Sequence, residues 1–279
     1  MANQLLDAIK DGLKVNKPLL WLDAEAYGAE VVRNGKPFPW AHPTEFVASY
    51  GQLQNLLKPG VAPVHLGNFL KSWLEANPTA LSEMSGKKRV RFALKKLLGM
   101  EAPRAIMREI VSALCESVSQ PLVLVLPSNG ELINWANTKA NGTNAQELTE
   151  IDIDSVSVYL ADFLRAFAGL NVAGVLVQLP EGQAVNPELL DLYSPVINVS
   201  KHYHWALGVQ VTSPSELNDS DEQLDLIISD KTGASCVELN ASFWAGADVS
   251  TPESGFYYGK VAADLKPELV LERLQSLRA

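Results

Sequence analysis

The sequence predicts a (β/α)8 barrel, and three observations carry that expectation. Eight short apolar segments recur along 279 residues, and most are separated by stretches long enough for a helix. The clearest of them, Val172–Leu179, is apolar almost throughout with little alternation. A strand buried on both faces, as in a parallel sheet under helices, reads this way. The first segment is followed by Asp23-Ala24-Glu25-Ala26-Tyr27-Gly28, so the G-x-G-x-x-G of a dinucleotide-binding sheet is missing, and no G-x-x-x-x-G-K-[ST] loop occurs. The alternative is a doubly wound open parallel sheet, because the later repeats are compressed. One domain over residues 1–279 is expected, with a short N-terminal helix and a long loop after the first strand.

The elements follow from local pattern. Residues 2–14 are amphipathic and open the chain as a helix. Pro18–Asp23 is the first strand, and a Gly-, Pro- and aromatic-rich connection, residues 27–43, comes after it. Thr44 can cap a helix running to Leu57. Val61–Leu66 is the second strand, Phe69–Ala76 a helix, and Pro103–Val118 another, with Ile106, Ile110, Leu114 and Val118 on one face. Pro121–Leu126 is the third strand, leading into a helix over Glu131–Ala140. Residues 141–153 are polar and read as a loop.

Val156, Tyr159, Leu160, Phe163, Leu164 and Phe167 then fall on one helical face, capped by Asp154 or Ser155 and stopped at Gly169. Pro187–Val199 is a helix. Trp205–Val211, Leu224–Ile228, Ser235–Leu239 and Phe256–Lys260 are the last four strands. Leu265–Leu277 closes the chain as a helix with Pro267 in its first turn.

Composition excludes some partners. The chain is 47% hydrophobic and 20% charged, with a formal net charge of −9. Nucleic acid and anionic membrane both require clustered Lys and Arg, so neither is expected as a main partner. The one basic cluster, Lys87–Arg91 with Lys95 and Lys96, reads as a solvated helix face. The N-terminus carries acids and lacks the apolar core of a signal peptide, and no apolar run is long enough to span a bilayer, so a cytoplasmic location is expected. Cys115 and Cys236 suit a reducing compartment and read as small core residues.

Three stretches carry a resemblance: Pro18–Tyr27 (PLLWLDAEAY), Pro121–Ala136 (PLVLVLPSNGELINWA) and Tyr159–Gln178, a helix and a strand ending in GVLVQ. In these the chain resembles the uroporphyrinogen decarboxylase and cobalamin-independent methionine synthase group of (β/α)8 barrels. The resemblance implies a site at the C-terminal strand ends, lyase or group-transfer chemistry, and a homodimer of the decarboxylase kind. It also marks departures. Where the decarboxylases carry arginines for the carboxylates of a tetrapyrrole, this chain has Asp23 and Glu25, which repel anions, so uroporphyrinogen itself is not expected as the substrate. The zinc-thiolate site of the methyltransferases needs a His-x-Cys pair and a second Cys. Here Ala234 and Ser235 precede Cys236, and no ligand motif supports a metal or other cofactor.

Candidate residues are therefore sought at strand ends. Asp23, His65 and Glu238 are the candidate catalytic groups, as acid, base or orienting carboxylate. Against this stand solvated loop carboxylates and a structural histidine. Glu25, Asn68, Ser128, Asn129, Gln178, Glu181 and Lys231 are candidate substrate-binding residues, with a Pro-Ser-Asn-Gly turn and a surface Asp230–Lys231 pair as the plainer alternatives. Asn240 closes the seventh strand beside Glu238. Phe38, Trp40 and His42 on the first long connection can cover the pocket or simply pack. His202-Tyr203-His204 precedes the fifth strand and so belongs to the opposite end.

The expected function is an enzyme acting on a small polar organic molecule. The first alternative is a non-catalytic barrel serving as a binding or accessory subunit. The second is a metal-dependent hydrolase using Asp23, Glu25, His65 and Glu238.

Overall fold

A computed structural model describes residues 3–211, 223–229, 234–253 and 255–278. It is an α/β fold built on parallel strands. The N-terminal half runs α1 (Gln4–Lys14), β1 (Leu20–Asp23), α2 (Glu25–Val31), α3 (Pro43–Leu57), β2 (Ala62–His65), α4 (Leu66–Ala76), α5 (Ala80–Met84), α6 (Phe92–Gly99) and α7 (Glu101–Ser117). It continues with β3 (Leu122–Pro127), α8 (Asn129–Asn141), α9 (Glu150–Leu164), β4 (Val172–Gln178), α10 (Pro187–Leu192), α11 (Ser194–Tyr203) and β5 (Ala206–Gln210). The last part holds β6 (Leu226–Ile228), β7 (Cys236–Glu238), α12 (Ala241–Trp244), β8 (Phe256–Lys260) and α13 (Pro267–Ser276).

The strands form two parallel sheets. One has the order β2-β3-β4-β5-β6, the other β1-β8-β7. The first strand therefore pairs with the last, with Asp23 in register with Lys260. Backbone hydrogen bonds also join the two sheets. Gly60 N–H donates to Leu20 O at 2.7 Å, and Ser235 N–H donates to Ile227 O at 2.7 Å.

Both faces of the strands other than β7 are largely buried, which explains their apolar sequences. Leu20 and Leu22 face the helices. Trp21, between them, faces a second cluster with Val123, Val125, Leu176, Ala206, Ile228, Phe256 and Tyr258, drawn from both sheets. Leu5 and Ile9 of α1 join that cluster. Trp21 stacks on Phe256 at 5.6 Å between ring centroids. Burying each such side chain stabilises by about 1.5–3 kcal/mol relative to exposure. Gly174 in β4 has no room for a side chain, since a Cβ there would lie 2.8 Å from Ala206 O.

The structure corrects several sequence expectations. The connection after β1 is not a continuous loop, because α2 forms within it. Pro43, not Thr44, opens α3, where its missing N–H costs nothing in the first turn. The helix expected from Asp154 starts at Glu150, inside the stretch read as loop. Its cap is Thr149, in a reciprocal capping box with Asp152. The helix expected over Pro187–Val199 is two helices, because Pro195 restarts the chain as α11. Of the basic cluster, only Lys95 and Lys96 lie on a helix. Lys87–Arg91 precede α6, and Arg91 pairs with Asp152 at 2.5 Å.

Candidate functional site

β1 and β2 end side by side, each on a polar residue. Asp23 is the last residue of β1 and His65 the last of β2. Their neighbours on the same strand faces, Trp21 and Pro63, are apolar, so the alternation of a strand delivers a polar group at the end of each apolar column. His65 Nε2 lies 3.3 Å from Asp23 Oδ1, with both side chains largely buried. The contact is one of charge without hydrogen-bond alignment, since His65 Nε2 is buried with no partner of acceptable geometry.

The electrostatics reinforce the pair. Burial disfavours the His65 imidazolium, but Asp23, and then Glu25, outweigh it and hold its pKa above the ordinary histidine value, with Lys260 opposing. Burial likewise pushes the Asp23 carboxyl up. His65 and then Lys260 overcome this and hold it below the usual carboxylate range. Each partner thus favours the charged form of the other.

Glu25, in the first turn of α2, accepts from Trp40 Nε1 at 2.8 Å on one oxygen and from Asn68 Nδ2 at 3.0 Å on the other. It ties the connection after β1, through Trp40, to α4, through Asn68. Burial is the largest influence on its pKa and leaves it above the ordinary glutamate value despite His65 and these two donors. A cavity of about 20 Å³, the size of one water, is lined by Glu25, Tyr50, Gln54 and His65. The Tyr50 hydroxyl donates to Pro63 O at 2.8 Å.

A second polar group bridges the two sheets. Gln178 Nε2 donates to Gln210 Oε1 at 2.9 Å, and Gln210 Nε2 donates to the Tyr258 hydroxyl at 2.9 Å. Gln178 and Gln210 are register partners at the ends of β4 and β5. Tyr258 comes from β8, in register with Trp21 and Glu238. Burial, followed by Asp23, raises the phenol pKa of Tyr258 and keeps it protonated.

The sequence candidates divide as follows. Asp23, Glu25, His65 and Asn68 come together. Gln178 joins the glutamine chain. Ser128 is buried and caps α8 in a box with Glu131. Asn129 is fully buried, and its Nδ2 donates to Ile153 O and Ser157 Oγ. Glu181 is exposed in the turn after β4, and Glu238 is exposed at the end of β7. Lys231 and Asp230 lie outside the described residues. Asn240 caps α12. Phe38 and Trp40 are buried against Phe46, and His42 precedes α3. His202-Tyr203-His204 ends α11, before β5, at the opposite strand end as expected.

Gln210, Tyr258 and Lys260 were not among the sequence candidates. The signal for Gln210 and Lys260 was present, as a polar residue closing an apolar strand. Tyr258 gave none, because an aromatic inside a strand reads as core. Among the described residues no group of three or more His, Cys, Asp or Glu is placed to hold a metal ion.

A cleft of about 530 Å³ opens beside the ends of β3 and β4, lined by Ser128, Glu131, Asn134, Pro180, Gln183 and Tyr193 among others. Its size is in the range of small-molecule sites. Among the described residues no helix is long and apolar enough to cross a membrane. No protein-family model, curated protein or solved structure matches the chain.

Proposed function

We propose that the two sheets are arcs of one closed (β/α)8 barrel, a single domain of the uroporphyrinogen decarboxylase and methionine synthase type. Three features support this reading. The last strand pairs with the first. Strands β2 to β6 follow one another in sheet order. Right-handed crossovers in such an order put the connecting helices on one face, and the other face must then close on itself. The cluster of Trp21, Val125, Leu176 and Phe256 is the interior that closure would produce.

Within that barrel, Asp23 and His65 act as an acid–base pair on a small polar organic substrate, in lyase or group-transfer chemistry in the cytoplasm. The observation that carries this is the 3.3 Å Asp23–His65 contact at the C-terminal ends of neighbouring strands. His65, as imidazolium, donates a proton to a leaving group or carbanion, and Asp23 stabilises the charged ring before transfer. Lys260, in register with Asp23, adds positive charge for an anionic substrate group.

A second reading is a binding or accessory subunit without catalysis. It is favoured by the internal satisfaction of the polar groups: both Glu25 oxygens and the Gln178–Gln210–Tyr258 chain already have protein partners.

Incubating the protein with the small-molecule fraction of a cell extract, followed by mass spectrometry, separates the two. The enzyme reading expects depletion of a small polar metabolite by the wild type and none by His65→Gln or Asp23→Asn. Identical extracts from wild type and both variants reject it, and a ligand retained unchanged on the wild type favours the accessory reading.

A further inference from the structure

A third cavity, of about 260 Å³, lies beyond the opposite end of β1 from Asp23. It is lined by Lys17, Asp248, Tyr257, Arg273 and Arg278, among others. Three cations and one acid therefore converge on it, in a chain whose net charge is −9.

The guanidiniums are held in place. Arg273 lies over the Phe243 ring at 4.4 Å, donates through Nε to Phe243 O at 2.9 Å, and donates through Nη2 to Ala247 O. Arg278 donates through Nη2 to Leu57 O and, at 3.0 Å, to Lys58 O. These bonds fix both side chains and use only part of their donor capacity, because each guanidinium has five N–H groups. Among the described residues, no carboxylate comes within ion-pair distance of Arg273, Arg278 or Lys17. Tyr257 presents a buried ring to the same cavity.

We propose that this cavity is a binding site for a small oxyanion, a phosphate or phosphomonoester group. The geometry suits one. Fixed, planar guanidiniums give directional bonds to tetrahedral oxyanions, and Lys17 at the rim adds a mobile charge. Asp248 sets the selectivity limit, since its carboxylate repels the ligand and keeps affinity modest. The site is separate from the Asp23–His65 pair and does not depend on what that pair does.

Titration of the isotope-labelled protein with inorganic phosphate at constant ionic strength, followed by amide and side-chain NMR, tests the site. A parallel titration with glycerol phosphate distinguishes free phosphate from a phosphomonoester. Saturable shifts confined to Lys17, Tyr257, Arg273 and Arg278 are expected with at least one of the two. Removing one charged donor weakens binding by about tenfold, so Lys17→Gln and Arg278→Gln should each do so. Asp248→Asn should tighten it. Lys17 is exposed, so that variant remains informative if Arg278→Gln fails to fold. An absence of shifts with both ligands, shifts that chloride reproduces or that fail to saturate, or an affinity unchanged in Lys17→Gln overturns the proposal.

Discussion

His65 Nε2 and Asp23 Oδ1 meet at 3.3 Å across the boundary between the two sheets, one residue ending β2 and the other ending β1. Neither strand alone contains the pair. The junction of the sheets makes it, and it fixes the pH behaviour of the region.

The sign of that behaviour follows from the two shifts. His65 is raised in the folded state, so its stabilisation is complete below its unfolded pKa of about 6.5 and is lost as pH rises through the higher folded value. Asp23 is lowered, so its contribution is present above its ordinary value of 3.8 and is lost as pH falls through the folded value. The pair is strongest between these limits. His65→Gln should cost about 3 kcal/mol near pH 5.5, as expected for breaking a largely buried pair, and less as pH rises. Urea unfolding across pH 5 to 9 measures this, and a deficit independent of pH would refute the charged pair. In Asp23→Asn the His65 pKa, followed by NMR, should fall.

Glu25 behaves in the opposite sense to Asp23. Its folded pKa is raised, so its contribution is present below the unfolded value and is lost as pH rises through the folded value. Glu25→Gln should therefore be most damaging in acid and least damaging at neutral pH. Trp40→Phe removes the indole donor from Glu25 Oε1 and should cost about 1–3 kcal/mol at neutral pH. Thermal melts of both variants at pH 4 and pH 7 provide the check. A Glu25→Gln penalty that grows toward neutrality would contradict the burial argument.

Asp152 joins two local devices. It closes the Thr149 capping box and pairs with Arg91. Burial pushes its carboxyl up, but the Thr149 and Arg91 contacts outweigh it and hold the pKa below the usual range. Asp152→Ala should lose about 2 kcal/mol at pH 7 through the lost cap and ion pair. That loss should vanish as pH falls through the depressed value, because protonated wild type loses the same interactions. Chemical denaturation at pH 7 and pH 2.5 compares them.

Tyr258→Phe leaves Gln210 Nε2 without its acceptor in a buried setting. A cost of about 1–2 kcal/mol is expected. In a double-mutant cycle with Gln178→Ala the two costs should not add, since both act through Gln210. Additive costs would mean that the three side chains are not one network.

Local pattern made much of the scaffold legible. The apolar runs Val172–Leu179 and Pro121–Leu126 announced buried strands, and they form β4 (Val172–Gln178) and β3 (Leu122–Pro127), buried on both faces. The 3.6-residue spacing of Val156, Leu160, Phe163, Leu164 and Phe167 announced the buried face of α9 and of the 3-10 turn that follows it. Helix starts were less legible. Thr149 competes with Asp154 and Ser155 as a cap, and only the reciprocal bond to Asp152 selects it. At the site, Asp23 and His65 stood out because each ends an apolar column with a polar group. Tyr258 did not, because its hydroxyl has a role only where Gln210 reaches it from another sheet.

The sequence by itself determined what each short segment does. Periodicity, caps and prolines act within about one turn or one strand, and their physics is contained in neighbouring residues. Tertiary structure decided which strand ends meet. The 3.3 Å approach of Asp23 and His65, the Glu25 tie to Trp40 and Asn68, and the glutamine–tyrosine bridge all join residues from different elements. Such contacts depend on sheet order and register. No local pattern in the chain encodes those, and burial then sets the charge of every group they bring together.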